Sequence, residues 1–190
     1  MAIKYIVGLD IALRNVGVSV HDNVGTRLEA YNIATKNGMN DHDSIDYIVQ
    51  VLFDYLNPKY FTEELTAARA VVVYVENILF AKQGKGTARA EVTGVIKWNL
   101  RQQGIRLYGV EPATWQSYLY QKHGVKPHRP GGGRIRTDDI KACVMHIVDR
   151  FYNFYTTNDN IADAIGIGQF GLAHSIERKR FSVRALSQMV

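Results

Sequence analysis

Little in this chain argues for an extracellular or membrane setting. One cysteine, Cys143, leaves no partner for an intrachain disulfide, and a reducing intracellular home is expected. No apolar run approaches the roughly 20 residues that a spanning helix needs, so no membrane partner is expected. The opening "MAIKYIVGLD" has one lysine and a short apolar run leading straight into a strand, which does not read as a signal peptide. There is no internal repeat and no interdomain linker. With targeting signals missing, a prokaryotic or phage-infected cytoplasm is the expected location. Acids are missing from one long stretch: residues 122–136 carry Lys122, Lys126, Arg129, Arg134 and Arg136 with no carboxylate among them.

What is present is enough for one full core. The chain has 190 residues, 46% of them hydrophobic, and its 22% charged residues exclude the composition of a disordered protein. Its formal net charge of +5 hints at a polyanionic partner. A second basic segment, Arg178, Lys179, Arg180 and Arg184, lies near the C-terminus. Charge alone leaves both segments open to a plainer reading as solvated, mobile stretches.

Strand patterns cover residues 4–10, 15–21 and 27–33, with short turns that suggest an antiparallel meander. Asp43 or Ser44 is placed to cap a helix over 45–56, which Asn57-Pro58 ends. The run "AVVVYVEN" over 70–77 is a continuous apolar strand suited to the middle of a sheet. Helical spacing over 87–103 is stopped by Gly104, and a fifth strand follows at 105–110. Further helices are predicted from Pro112 to about 121, from Thr137 or Asp138 to about 155, and from about 160 to 175. The order implies a mixed five-stranded sheet with helices on its faces.

Three carboxylates stand out against apolar surroundings. Asp10 closes the first strand, Glu76 follows "VVVYV", and Asp163 sits within "NIADAIGIGQFGLA". Buried ionised acids are costly unless paired, so each needs a cation, a raised pKa or a metal. Arg14 or Arg89 could supply the cation. If the first and fourth strands are neighbours, Asp10 and Glu76 open at the same end of the sheet. Hard oxygen donors without nearby cysteine or histidine fit Mg²⁺ or Mn²⁺ better than zinc.

The stretches "GLDIALRNVGVSV", "VVVYVENILFAKQ" and "NIADAIGIGQFGLAHS", with "GTARAEVTGVIKWNLRQQGIRLYGVEPATWQSYL" between the last two, resemble in order and spacing the RuvC-type Holliday junction resolvases. The "RN" after Asp10 is closer to the phage, poxviral and mitochondrial members. The resemblance spans about residues 4–175. It implies an α/β, RNase H-like fold, with a nuclease domain over 1–176 and a basic C-terminal tail over 177–190. It implies a homodimer, through the helix after Glu76, that binds four-way DNA. Such a dimer nicks two opposing strands symmetrically, leaving 5′-phosphate and 3′-hydroxyl. Two Mg²⁺ or Mn²⁺ ions per site, and no organic cofactor, go with that activity.

On this resemblance Asp10 bridges the ions and Glu76 and Asp163 complete the site. Bacterial members carry an acid or histidine three residues before the last Asp; here that position is Asn160, a neutral oxygen donor, with Asp159 beside it. The family's aromatic three residues after the Glu is Leu79 here, next to Phe80, and sequence preference is expected to be looser. Lys82, Lys85 and Arg89 are the expected phosphate contacts near the metals. Lys122, Lys126, Arg129, Arg134 and Arg136 form a DNA-gripping loop, and one of Arg134, Arg136 and Lys141 reaches the active site. Trp98 and Trp115, each in a helical pattern, read as packing residues. Two other functions stay open: a nuclease acting on RNA–DNA hybrids, and a non-catalytic junction-binding protein.

Overall fold

Alternation along the strands decides which side chains meet which helices. In β1 (Tyr5–Ile11), Val7, Leu9 and Ile11 enter one core cluster while Ile6 enters the other. In β4 (Val71–Glu76) the same parity sends Val71, Val73 and Val75 one way and Val72 and Tyr74 the other. Successive strand residues point to opposite faces, so Asp10 shares a face with Ile6, and Glu76 shares that face with Val72 and Tyr74. This is a computed structural model, and it describes residues 2–26, 28–77 and 87–187.

β1, β2 (Asn15–Asp22) and β3 (Leu28–Ala34) form the expected antiparallel meander. β4 pairs parallel to β1, and β5 (Arg106–Val110) parallel to β4, giving the order β3-β2-β1-β4-β5. The mixed five-stranded sheet read from the sequence is therefore present. Leu9 registers with Val75. Asp10 and Glu76 follow directly at the carboxyl ends of adjacent parallel strands, where crossovers leave a crevice.

One face of the sheet is covered by α1 (Asp41–Leu56) and α3 (Thr87–Gln102), which bring Ile48, Leu52, Val92, Ile96 and Leu100 into the first cluster. The other is covered by α4 (Pro112–His123), α5 (Thr137–Tyr152) and α6 (Asp159–Ser187), with Trp115, Leu119, Ile147, Ile165 and Ile167 in the second. Both faces being covered explains why Ile6–Ile11 are buried without a break.

Several boundaries differ from the sequence reading. α1 starts earlier because Asn40, and not Asp43 or Ser44, is its N-cap, its side chain accepting from the Asp43 amide at 2.9 Å. A short helix, α2 (Glu63–Ala67), capped by Thr62, was not foreseen. α5 stops before the expected 155 because Asn153 takes a left-handed conformation at φ 53°. α6 does not stop at 175 but runs to Ser187. After Gly171 the chain offers neither proline nor glycine to end it. Trp115 is fully buried as expected, whereas Trp98 is 61% exposed on the outer face of α3 beside the exposed Val95. No helix among the described residues is long and apolar enough to cross a membrane.

Candidate active site

Beyond Ile6, the face of β1 and β2 beneath α6 carries small and polar residues: Gly8, Asp10, Gly17, Ser19 and His21. Their size lets the helix backbone settle directly on the sheet. A methyl group at Gly17 would collide with the Asn160 carbonyl, and one at Gly8 with the Ala164 carbonyl. From α6, Gly168 meets His21 in the same way. A buried polar chain then fixes the helix in register. Gln169 Nε2 lies 3.2 Å from His21 Nδ1, His21 Nε2 lies 3.0 Å from Ser19 Oγ, and Ser19 donates to the Ala164 carbonyl at 2.7 Å. Since Ser19 gives its proton to Ala164 and Gln169 donates through its amide, His21 is neutral with its proton on Nε2. Burial lowers its pKa to about 4. Ala164 is the next residue after Asp163, so the chain that pins the helix also pins the acid.

The result is a cleft of about 320 Å³ lined by Asp10, Glu76, Arg89, Lys141, Asp159, Asn160 and Asp163, with Thr137 and Gln116 at its sides. Asp10 is only 7% exposed. Its pKa is raised to about 7, first by burial and then by Glu76, against the opposing pull of Arg89. Asp163 is raised to about 8, again first by burial and then by Asp10 and Glu76. Four carboxylates, from Asp10, Glu76, Asp159 and Asp163, face two cations, Arg89 and Lys141. Among the described residues, carboxylates in the cleft thus outnumber cations by four to two.

Glu76 is held at both oxygens. Oε1 accepts from Arg89 Nη2 at 3.0 Å and Oε2 from Trp115 Nε1 at 3.1 Å. The same Arg89 nitrogen lies 3.4 Å from Asp10 Oδ1, and Arg89 Nε donates to the Ile11 carbonyl at 2.7 Å. Lys141 forms an ion pair with Asp159, which lowers the pKa of Asp159 and raises that of Lys141. Among the described residues no partner engages the Asp163 carboxylate.

Of the three basic candidates for the active site, Lys141 alone lines the cleft; Arg134 and Arg136 are exposed on the loop before α5. In that loop Arg129 donates to the Arg134 carbonyl at 2.9 Å, and Lys126 is exposed. Lys122 ends α4 with its ammonium turned to Tyr152, 3.2 Å from the hydroxyl. Leu79, Phe80, Lys82 and Lys85 lie outside the described residues. The sequence did not signal the Trp115 bond to Glu76, although a tryptophan on a helix opposite a buried acid is the available cue.

Among the described residues, no three of the His, Cys, Asp and Glu side chains form a ready metal site. The guanidinium of Arg89 lies between two of the acids. The donor set nevertheless fits a hard divalent cation: among the described residues the donors facing the cleft are oxygens, carboxylates outnumber cations there, and two of the acids have their pKa values raised, first by burial and then by neighbouring acids.

No family model and no curated protein matches the chain by sequence. Solved structures that resemble it in fold include three resolvases. RuvC of Thermus thermophilus in complex with a Holliday junction substrate aligns with a TM-score of 0.63 and 16% identity over 93% of this chain and 95% of that one. The yeast mitochondrial Holliday junction resolvase gives 0.58 and 15% over 100% and 86%. The fowlpox virus Holliday junction resolvase gives 0.52 and 15% over 90% and 99%. The chain therefore has the RNase H-like fold of these resolvases, as its three acidic motifs led one to expect.

Proposed function

We propose that this protein is a divalent-metal-dependent endonuclease that resolves four-way and other branched DNA by paired symmetric nicks, leaving 5′-phosphate and 3′-hydroxyl ends. The observation that carries the reading is the convergence of Asp10, Glu76 and Asp163 on one acid-rich cleft in a resolvase-like fold. Asp10, Glu76 and Asp163 would hold the ions, with Asn160 adding a neutral oxygen. When bound, two ions would favour in-line attack of water on a phosphodiester and offset charge on the leaving oxygen.

The chain's own residues do the positioning. Trp115 fixes the carboxylate plane of Glu76, and the Ser19–His21–Gln169 chain fixes the register of Asp163. Such support from outside the first layer of ligands is what holds a reactive geometry in place. Lys141 is placed to meet a phosphate that enters the cleft. Lys122, Lys126, Arg129, Arg134 and Arg136 would grip the DNA backbone, as would Lys82 and Lys85, with Leu79 and Phe80 near the crossover. Contacts of this kind make binding strongly salt-dependent. Exposed Trp98 and Val95 on α3 support a homodimer through that helix, whose two-fold symmetry would match that of a junction.

The test is cleavage of an immobile four-way junction, with linear duplex and RNA–DNA hybrid as controls, in Mg²⁺, Mn²⁺ or EDTA. Symmetric nicks in the junction alone, abolished by EDTA and by Asp10→Asn, are the expected result. Cutting of the hybrid alone would make the protein a hybrid nuclease. Junction binding without cutting in either metal would make it a binding protein.

A further inference from the structure

We infer that Arg89 is an internal stand-in for the divalent cation, holding Asp10 and Glu76 together until an ion displaces it. The inference rests on the metal-dependent reading above and adds a competition to it. One guanidinium nitrogen touches both acids, at 3.0 Å from Glu76 and 3.4 Å from Asp10, so it occupies the place a shared cation would take. Mg²⁺ requires oxygen ligands at about 2.0–2.1 Å, and a hydrogen-bonded nitrogen cannot share that space. Ion and guanidinium must therefore exclude one another between these two carboxylates.

The geometry also says how the exchange can occur. Arg89 extends from α3 around the end of the sheet, and its side chain remains 34% exposed at the cleft. A guanidinium is a good bidentate partner for a phosphate as well as for a carboxylate. A DNA phosphate entering the cleft can draw Arg89 off the acids, and the vacated carboxylates then attract the ion. Substrate and metal thereby bind with positive coupling, each favouring the state in which Arg89 has left the acids. Without DNA, the pairing keeps the acids from repelling each other and keeps the ion out.

The experiment measures Mn²⁺ binding by calorimetry to wild type, Arg89→Met, Arg89→Lys and Asp10→Asn. Each is titrated with and without an immobile junction that carries cleavage-resistant linkages at its crossover, and folding is checked by circular dichroism in EDTA. Arg89→Met is expected to melt lower than wild type in EDTA and to bind Mn²⁺ at least tenfold more tightly in the absence of DNA. Its affinity should no longer rise when junction is added, whereas that of wild type should. Arg89→Lys, which keeps the charge, should stay nearer to wild type. Equal or weaker Mn²⁺ binding by folded Arg89→Met, with Asp10→Asn still abolishing binding, would overturn the stand-in role and leave the metal site intact. Mn²⁺ binding that Asp10→Asn does not affect, or none at all even with DNA, would overturn the metal reading itself.

Discussion

Replacing Asp163 by asparagine should make the metal-free protein more stable at alkaline pH, although it removes one of the acids assigned to the proposed activity. Asp163 faces Asp10 and Glu76 with no described partner, and its pKa is raised from 3.8 to about 8. Between those values the folded protein holds a proton that the unfolded chain has released. Stability from this group is therefore lost as pH rises, and the penalty is complete above about pH 8. A shift of this size corresponds to roughly 6 kcal/mol if it belonged to Asp163 alone. The burden is shared with Asp10, so about half, on the order of 2–3 kcal/mol, is a better figure. For a domain of this length each kcal/mol moves Tm by about 2–4 °C, which gives a gain of roughly 4–12 °C. The assay is thermal unfolding of wild type and Asp163→Asn in EDTA at pH 5 and pH 8.5. The gain should be full at pH 8.5 and clearly smaller at pH 5, where the folded side chain is neutral but the unfolded one is already ionised, and it should vanish only below about pH 3.8. Mg²⁺ at pH 8.5 should stabilise wild type and not the variant. An unchanged or lower Tm for the variant at pH 8.5 in EDTA would refute the claim that the cleft is over-supplied with negative charge.

Two more perturbations address the supports of the site. Trp115→Phe keeps most of the buried ring but leaves Glu76 Oε2 without its donor; a loss of about 1–3 kcal/mol in urea unfolding is expected, with a fall in single-turnover cleavage of ten- to a hundredfold. Cleavage at the wild-type rate would show that Glu76 needs no such anchor. His21 has its pKa lowered from 6.5 to about 4, so the stability it confers is full above about pH 6.5 and is lost as pH falls toward 4. The gap in unfolding free energy between wild type and His21→Asn should thus shrink by about 3 kcal/mol over that window. A gap independent of pH would mean that His21 titrates normally.

The strands were the most legible part of the chain because each face is encoded at a period of two. "YIVGLDI" and "VVVYVE" reveal both the sheet centre and the acids that interrupt it. The parallel pairing of β1 with β4 entered only as a condition, since register is a long-range property. Arg89 could be named as a partner for one acid, but its reach to both depends on how α3 docks across the sheet end. Choosing Lys141 over Arg134 and Arg136 likewise needed the position of α5 relative to α6. The end of α6 is not legible because its basic residues read as a solvated tail, although lysine and arginine are good helix formers. The exposure of Trp98 is not legible either, because helical spacing alone does not tell a face packed on the sheet from one left outside.

The address of Asp163 is written largely in atoms that are not there. Gly8, Gly17 and Gly168 carry no chemistry, yet each absent side chain is a gap that the opposite backbone or His21 fills. A mutational scan scored by cleavage would therefore rank these three glycines with the carboxylates. Taken as a map of reacting groups, such a scan would mislead. Sorting its hits by metal affinity at constant fold would separate positions that touch the substrate from positions that only set the distance between a sheet and a helix. In this protein the second kind is as unforgiving as the first.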